Sequence, residues 1–344
     1  MRLLMFTRKV DKNDGLAGFT YNWVKKFAGN VDHLDVICLE KGEIAGLPEN
    51  AAVHSLGKEK GKNRWLEFWR LQKLAFSLVP KVDGVFTHQN PEYGIMLAPW
   101  ARLFKKPIIA WYAHGAVNFK VALLNALVDK IVTSTSQGFR LSSKKAVVLH
   151  QGIDTDVFAY REKEIHKGLR LLTVGRISAS KNIHLMIDLV ADLRRQGKEV
   201  ILKIAGAPSL VVGNKYLADL RAQVDNLGLQ DAVIFLGSIV NCETPALYQW
   251  ADIFLNFSVT GSLDKTILEA MSCGTLVLTS NDSGRVILQN VAPELILSSP
   301  QAARGKVMRL EEIDRKALGL ALRQYVVNNH RLDQLVKKIV RLFD

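Results

Sequence analysis

Short apolar runs of strand length alternate with longer stretches of helical period, and the alternation occurs twice, once in each half of the chain. In the first half, strands are expected near 2–6, 34–39, 83–87, 107–112 and 130–134, with helices near 17–28, 63–78, 92–104 and 118–128. In the second half, strands fall near 170–175, 199–205, 232–236, 252–256 and 276–279, with helices near 182–196, 213–227, 243–250 and 264–273. A strand that returns to its sheet through a helix returns parallel, so each half predicts a parallel sheet wrapped by helices. The 344 residues, 48% of them apolar, suffice for two domains with separate cores. The twofold similarity is one of architecture and not of a short repeat.

Residues 154–168 lose periodicity and gain charge, as a surface linker does. The boundary is drawn near 160, giving an N-terminal domain of 1–160 and a C-terminal domain of 161–328. In 329–344, Leu332, Leu335, Val336, Ile339 and Phe343 stand at helical spacing with cations between them, which predicts an amphipathic helix docked across the domain junction.

Open parallel sheets bind ligands beyond the carboxyl ends of their strands, so the strand exits are the places to look for chemistry. Thr173-Val-Gly-Arg-Ile-Ser-Ala-Ser-Lys-Asn182 is the most informative of them. An apolar strand ends at Gly175, and Arg176 and Lys181 follow where the chain passes into a helix. Fixed positive charge and helix N-terminal amides then face one small volume, which suits a diphosphate. A second polar turn with Gly261 and Ser262 leads through Leu263, Asp264 and Lys265 into a short helix carrying Glu269 about two turns in. A carboxylate there is suited to a ribose diol, and equally to bracing a helix from within. Gly15 and Gly18, after the first strand, leave room for backbone amides to approach phosphates, or form a plain surface loop. His114, in Trp111-Tyr-Ala-His-Gly115, and His88 both follow apolar strands at sheet ends.

Gly175-Arg-Ile-Ser-Ala-Ser-Lys181, Phe235-Leu-Gly237 and Leu268-Glu-Ala-Met-Ser-Cys-Gly274, in this order and spacing, resemble the donor half of the retaining glycosyltransferases of family 4, the glycosyl transferases group 1. The resemblance extends more weakly to His150-Gln-Gly-Ile-Asp-Thr-Asp-Val-Phe158, which is similar to the family's interdomain hinge, and to Gly15 through Gly18. It implies an α/β chain of GT-B architecture, two Rossmann-like doubly wound parallel-sheet domains facing across a cleft. It also implies a nucleotide-sugar donor, a saccharide or lipid-linked acceptor and no required metal or cofactor. By the resemblance, Arg176 and Lys181 neutralise the diphosphate of the leaving group, Glu269 holds the ribose, backbone around Phe235 and Gly237 recognises the base, and His114 lies near the transferred sugar. His88 is assigned to the acceptor side. The family's usual pattern has a glutamate eight residues before Glu269, where this chain has Gly261. Either Asp264 and Lys265 grip the donor sugar instead, or activity is reduced.

The formal charge of +13 is concentrated in residues 51–150, which hold 15 Lys and Arg against 5 Asp and Glu, a net +10 by subtraction. Such a patch attracts an anionic membrane, a phosphorylated substrate or nucleic acid, or is merely solvated surface. Lys62 to Leu78 mixes cations with Trp65, Phe68, Trp69 and Phe76. That is the composition of a membrane interface, although the broad spread of apolar positions favours a helix covering the sheet. Nucleic acid is set aside, because no aromatic-basic recognition motif accompanies the charge. Cys38, Cys242 and Cys273 are odd in number and lack metal-ligand spacing, which predicts reduced thiols in the cytoplasm. A sugar-nucleotide epimerase of the same architecture and a catalytically silent sugar-nucleotide binder are the alternatives to a transferase.

Overall fold

The computed structural model describes the chain except Leu16, Lys62, Ser209, residues 259–262 and Glu311, and except the side chains of 210–212. The chain divides into two compact units, Met1–Asp154 with Val240–Cys242 and Arg331–Asp344, and Thr155–Ile239 with Glu243–His330. The passage from one to the other thus comes at Asp154 and Thr155, earlier than the boundary drawn near 160.

In the first unit the strands are β1 (Arg2–Val10), β2 (His33–Lys41), β3 (Ala51–Ser55), β4 (Gly84–His88), β5 (Ile108–Trp111), β6 (Lys130–Thr133) and β7 (Ala146–Val148). They form one parallel sheet in the order β3-β2-β1-β4-β5-β6-β7. Alternate residues of β1 enter different cores. Leu4 and Phe6 pack with α2 (Arg64–Leu78), α3 (Pro91–Leu103) and α4 (Phe119–Leu127), while Leu3 and Met5 pack with α1 (Gly18–Ala28) on the other face. A strand buried on both sides reads as an unbroken apolar run, which is why β1 was visible in the sequence.

The second unit contains β8 (Leu169–Val174), α5 (Ile183–Arg195), β9 (Val200–Ala205), α6 (Leu210–Asn226), β10 (Val233–Gly237), α7 (Thr244–Trp250), β11 (Ile253–Asn256), α8 (Lys265–Ser272) and β12 (Leu276–Thr279). After these come α9 (Asp282–Leu288), α10 (Ala303–Arg309) and α11 (Arg315–Asn329). Its strands form a parallel sheet in the order β10-β9-β8-β11-β12. The expected α/β class with two doubly wound parallel sheets is therefore present.

The last helix, α12 (Leu332–Val340), belongs to the first unit. Its Leu332, Leu335, Val336 and Ile339 enter the core shared with α1. Leu332 donates its amide to Ile153 O at 2.9 Å, and a β-carbon on Gly152 would lie 2.7 Å from Leu335 Cδ2.

One expectation, that α2 covers the sheet, holds only along one stripe of the helix. Helix α2 is not a core helix over most of its surface, for only Leu71 and Ala75 are buried in it. Trp65, Leu66, Phe68, Trp69 and Phe76 are exposed. Beyond the Leu71–Ala75 stripe, Leu74 and Leu78 pack against the core and Phe76 meets Trp100 and Phe104, while Trp65 and Trp69 stay largely uncovered.

Candidate active site

The second sheet reverses its winding between β8 and β11, and the strand exits at such a switch point leave a ligand crevice. At the exit of β8, Gly175 adopts φ +149°, a conformation that favours glycine. The Ile177 amide then bonds Ala207 O at 3.0 Å, and a turn of 3-10 helix, Ala179–Lys181, leads to Asn182. Asn182 is left-handed (φ +51°) and caps α5, and its Nδ2 donates to Phe257 O at 2.9 Å. The start of α5 is thereby tied to the exit of β11.

This path delivers Lys181 into a polar network. Its Nζ lies 2.6 Å from Asp264 Oδ2 and 3.4 Å from Ser258 Oγ. Asn256 Nδ2 donates to the same Asp264 oxygen at 2.8 Å, and Thr279 Oγ1 donates to Asn256 Oδ1 at 3.1 Å. The Lys181 and Asp264 side chains are only 21% and 18% exposed. Asp264 is the N-cap of α8, yet its side chain makes no cap hydrogen bond, because its carboxylate is engaged by Lys181 and Asn256. Arg176 is exposed and has no ion-pair partner among the described residues. Gly175, Arg176, Lys181, Asn256 and Phe257 line a recess of ≈ 280 Å³. A larger hollow of ≈ 600 Å³, lined by Tyr160, Lys163, Asp252 and Arg315 among others, lies at the amino ends of the strands. Parallel sheets bind ligands at the opposite end, which makes the smaller recess the candidate site.

A backbone wall adjoins it. The neighbouring strands β8, β9 and β10 all finish at glycines with positive φ: Gly175, Gly206 (+150°) and Gly237 (+71°). Gly206 donates its amide to Gly237 O at 2.7 Å, and Gly175 donates to Ala205 O at 2.9 Å. A β-carbon on Gly206 would fall 1.8 Å from Gly175 O. Gly206 was not singled out from the sequence, although β9 shows the same signature of an apolar strand ending in glycine. The ladder shifts register between Phe235 and Gly237. Gly237 is exposed at the strand end, whereas the Phe235 ring is covered by the Arg221 guanidinium of α6, 5.8 Å from its centroid.

On α8, Glu269 is buried, and Tyr248 Oη donates to its Oε2 at 2.8 Å. Burial pushes the Glu269 carboxyl up, with Lys265 and the Tyr248 hydroxyl opposing. Burial pushes the Lys265 ammonium, one helical turn earlier, down to about 8, with Glu269 opposing. Asp264 and Lys265, expected to stand in for the absent sugar-contacting glutamate, are thus engaged within the protein, Asp264 by Lys181 and Lys265 electrostatically by Glu269. Leu263 is partly buried ahead of α8, and Gly261 and Ser262 lie outside the described residues.

The other expected residues belong to the first unit. His88 ends β4 beside β1, the switch point of that sheet, but it is buried. Its Nδ1 lies 3.2 Å from Thr7 Oγ1, and its ring centroid is 4.4 Å from that of Trp23. The expected acceptor contact is therefore covered by aromatic rings. His114 is exposed beyond β5 on an ordered turn. There Tyr112 Oη donates to Ala116 O at 2.9 Å, and Gly115, at φ +69°, donates to Gly138 O at 2.9 Å. Gly15 is exposed and Gly18 opens α1. Two amides expected to be open to phosphate are already bonded, Ala17 N to Asp14 Oδ1 at 2.6 Å and Gly18 N to Asp14 O at 3.0 Å.

Residues 157–317, which contain the whole constellation around the recess, match the family described as Glycosyl transferases group 1. The alpha-monoglucosyldiacylglycerol synthase of Streptococcus pneumoniae is 38% identical over 108 residues, covering 31% of this chain and 23% of that protein. A putative colanic acid biosynthesis glycosyltransferase, WcaL of Salmonella typhimurium, is 26% identical over 86% of this chain and 87% of its own length. Among solved structures, Anabaena Alr3699/HepE in complex with UDP has the same fold, with a TM-score of 0.75 at 16% identity over 99% of both chains. Recess, sheet order and these relationships lead to one conclusion: the chain is a glycosyltransferase of the GT-B fold, and its residues 157–317 carry the group 1 glycosyl transferase match.

Proposed function

We propose that the protein transfers a sugar from a nucleoside-diphosphate sugar to a hydroxyl of a saccharide or lipid-linked acceptor, with retention of anomeric configuration and without a metal. The observation that carries this reading is the pair Arg176 and Lys181, brought to one recess at the switch point of the second sheet. Two cations at a shielded strand exit stabilise a diphosphate, and the charge that grows on the departing diphosphate is the largest demand of glycosyl transfer. Arg176 is open to a ligand, while Asp264 keeps Lys181 oriented until the phosphates arrive. Glu269 accepts from the ribose diol, in an orientation set by its bond from Tyr248. Gly206 and Gly237 offer a wall without side chains to the base. The departing phosphate oxygen takes the acceptor proton, so no strong protein base is required.

The names of two relatives support this range of acceptors, one a synthase of alpha-monoglucosyldiacylglycerol and the other a putative glycosyltransferase of colanic acid biosynthesis. We place the protein in the cytoplasm at the inner face of the membrane. The three cysteines are free thiols, and no helix among the described residues is long and apolar enough to cross a bilayer.

The test is incubation with a panel of nucleoside-diphosphate sugars and acceptors, with and without chelator, and analysis of product by NMR. The reading predicts a glycoside of the donor's own anomeric configuration, formed equally in chelator. An inverted product, an epimerised donor without transfer, or loss of turnover in chelator would contradict it.

A further inference from the structure

We infer that the outer face of α2, continued by the end of α3, is the surface by which the protein lies on an anionic lipid bilayer. This deepens the proposed location without depending on the donor site. Trp65, Trp69 and Phe76 stand at positions i, i+4 and i+11 of one helix and so form a single stripe, 77%, 64% and 62% exposed. Phe68 packs on Trp69 with centroids 5.6 Å apart. Phe76 reaches across to α3, 5.7 Å from Trp100 and 6.3 Å from the adjacent Phe104, next to Leu103, which is 64% exposed. Trp100 is fixed in that arrangement by donating Nε1 to Gln72 Oε1 at 2.7 Å. The result is an exposed aromatic face along α2, with ring contacts at Phe68–Trp69 near its start and at Phe76–Trp100–Phe104 near its end. Scattered exposed apolar residues are ordinary, but several large rings gathered on one face mark an interaction surface.

Charge decides which partner fits. Arg64, Lys73 and Lys105 flank the aromatic stripe, are exposed, and have no ion-pair partner among the described residues. Along Asn63–Lys81 the cations Arg64, Arg70, Lys73 and Lys81 face a single acid, Glu67. Aromatic rings bordered by unpaired cations match the interface of a bilayer with anionic headgroups, where rings settle at the acyl boundary and ammonium groups snorkel to phosphate. A protein partner of ordinary composition would leave these cations unmatched. Helix α2 runs from the carboxyl end of β3 back toward the start of β4, so its Trp65 end lies toward the strand exits that carry His88 and His114. Docking by this face would bring that end of the unit to the membrane surface where a lipid-linked acceptor is held.

Co-sedimentation of the full chain with vesicles tests this, using phosphatidylcholine alone and phosphatidylcholine with phosphatidylglycerol. The protein is expected to partition onto the anionic vesicles, with a blue shift of tryptophan emission. Combining Trp65→Ser, Trp69→Ser and Phe76→Ser is expected to weaken partitioning by about tenfold or more, and combining Lys73→Glu with Lys105→Glu to remove the preference for anionic lipid. No partitioning of the wild type, or partitioning unchanged in the aromatic variant, would overturn the proposal. So would sedimentation equilibrium showing a dimer that the aromatic variant dissociates, since the face would then belong to a second copy. Nucleoside-diphosphate binding measured on the same variants is expected to be unchanged. A wild type that binds vesicles but no nucleotide would sink the donor-site reading and leave this one standing.

Discussion

Gly206 has no room for a side chain. A methyl group there would collide with Gly175 O, and the backbone stands at φ +150°. Gly206→Ala is therefore expected to destabilise the protein by about 1–3 kcal/mol, read as a lowered denaturation midpoint; an unchanged midpoint would show that the strand exits tolerate rearrangement. Arg176 and Lys181 were legible because charged residues after a strand-ending glycine are a local pattern. Gly206 escaped notice because its constraint is a backbone contact with another strand. The engagement of Asp264 by Lys181 was equally hidden, since nothing local says which cation a carboxylate will meet. Lys265 makes a prediction about pH. Its ammonium is pushed down to about 8 by burial, from an ordinary value of 10.5. Between those values the unfolded chain holds a proton that the folded protein does not, so stability from this group rises with pH across the window. Lys163, also pushed down to about 8 by burial, contributes in the same window but cancels when wild type is compared with a Lys265 variant. The wild type is expected to gain stability relative to Lys265→Met as pH rises from 8 toward 10.5, measured by denaturant titration. A constant difference would mean that Lys265 is not desolvated by the fold.

Helix α12 was legible because its apolar residues recur at helical spacing, and four of the five named from the sequence, Leu332, Leu335, Val336 and Ile339, enter the first unit's core, with Phe343 partly buried against it. Leu335 is 3% exposed and packs on Gly152. Leu335→Ala is expected to cost about 2–5 kcal/mol, a loss that a thermal melt would register; a variant as stable as wild type would make α12 an appendage. The strands β3 and β7 did not announce themselves. Ala51–Ser55 and Ala146–Val148 are short and have no fully buried residue, so they lack the apolar run that marks an interior strand. Helix α2 shows the reverse limit. An apolar helical pattern says that a face seeks cover, but only the assembled fold shows that Trp65 and Trp69 go uncovered. On α8 the carboxylate of Glu269 was legible and its partner was not. Tyr248 arrives from α7, and Tyr248→Phe is expected to weaken nucleotide affinity while leaving the fold cooperative. Unaltered affinity in a calorimetric titration would confine that hydrogen bond to a structural role.

Both units use one plan, a parallel sheet whose winding reverses beside its first strand, between β1 and β4 in one and between β8 and β11 in the other. The strand–helix rhythm made this class legible. Strand order was not legible from local pattern, and strand order is what sets the exit of β8 beside that of β11 and so assembles Arg176, Lys181, Asn256 and Asp264. The return of the chain at Arg331 to complete the first unit likewise depends on tertiary contacts of α12. The account of the whole molecule rests on the claim that this recess grips a diphosphate through Arg176 and Lys181. Isothermal titration of UDP, GDP and ADP into the wild type, Arg176→Ala and Lys181→Ala tests it most directly. The wild type is expected to bind one of these nucleotides selectively, and each variant to lose about 1.5–3 kcal/mol of that affinity. Wild-type affinity in both folded variants would contradict the claim.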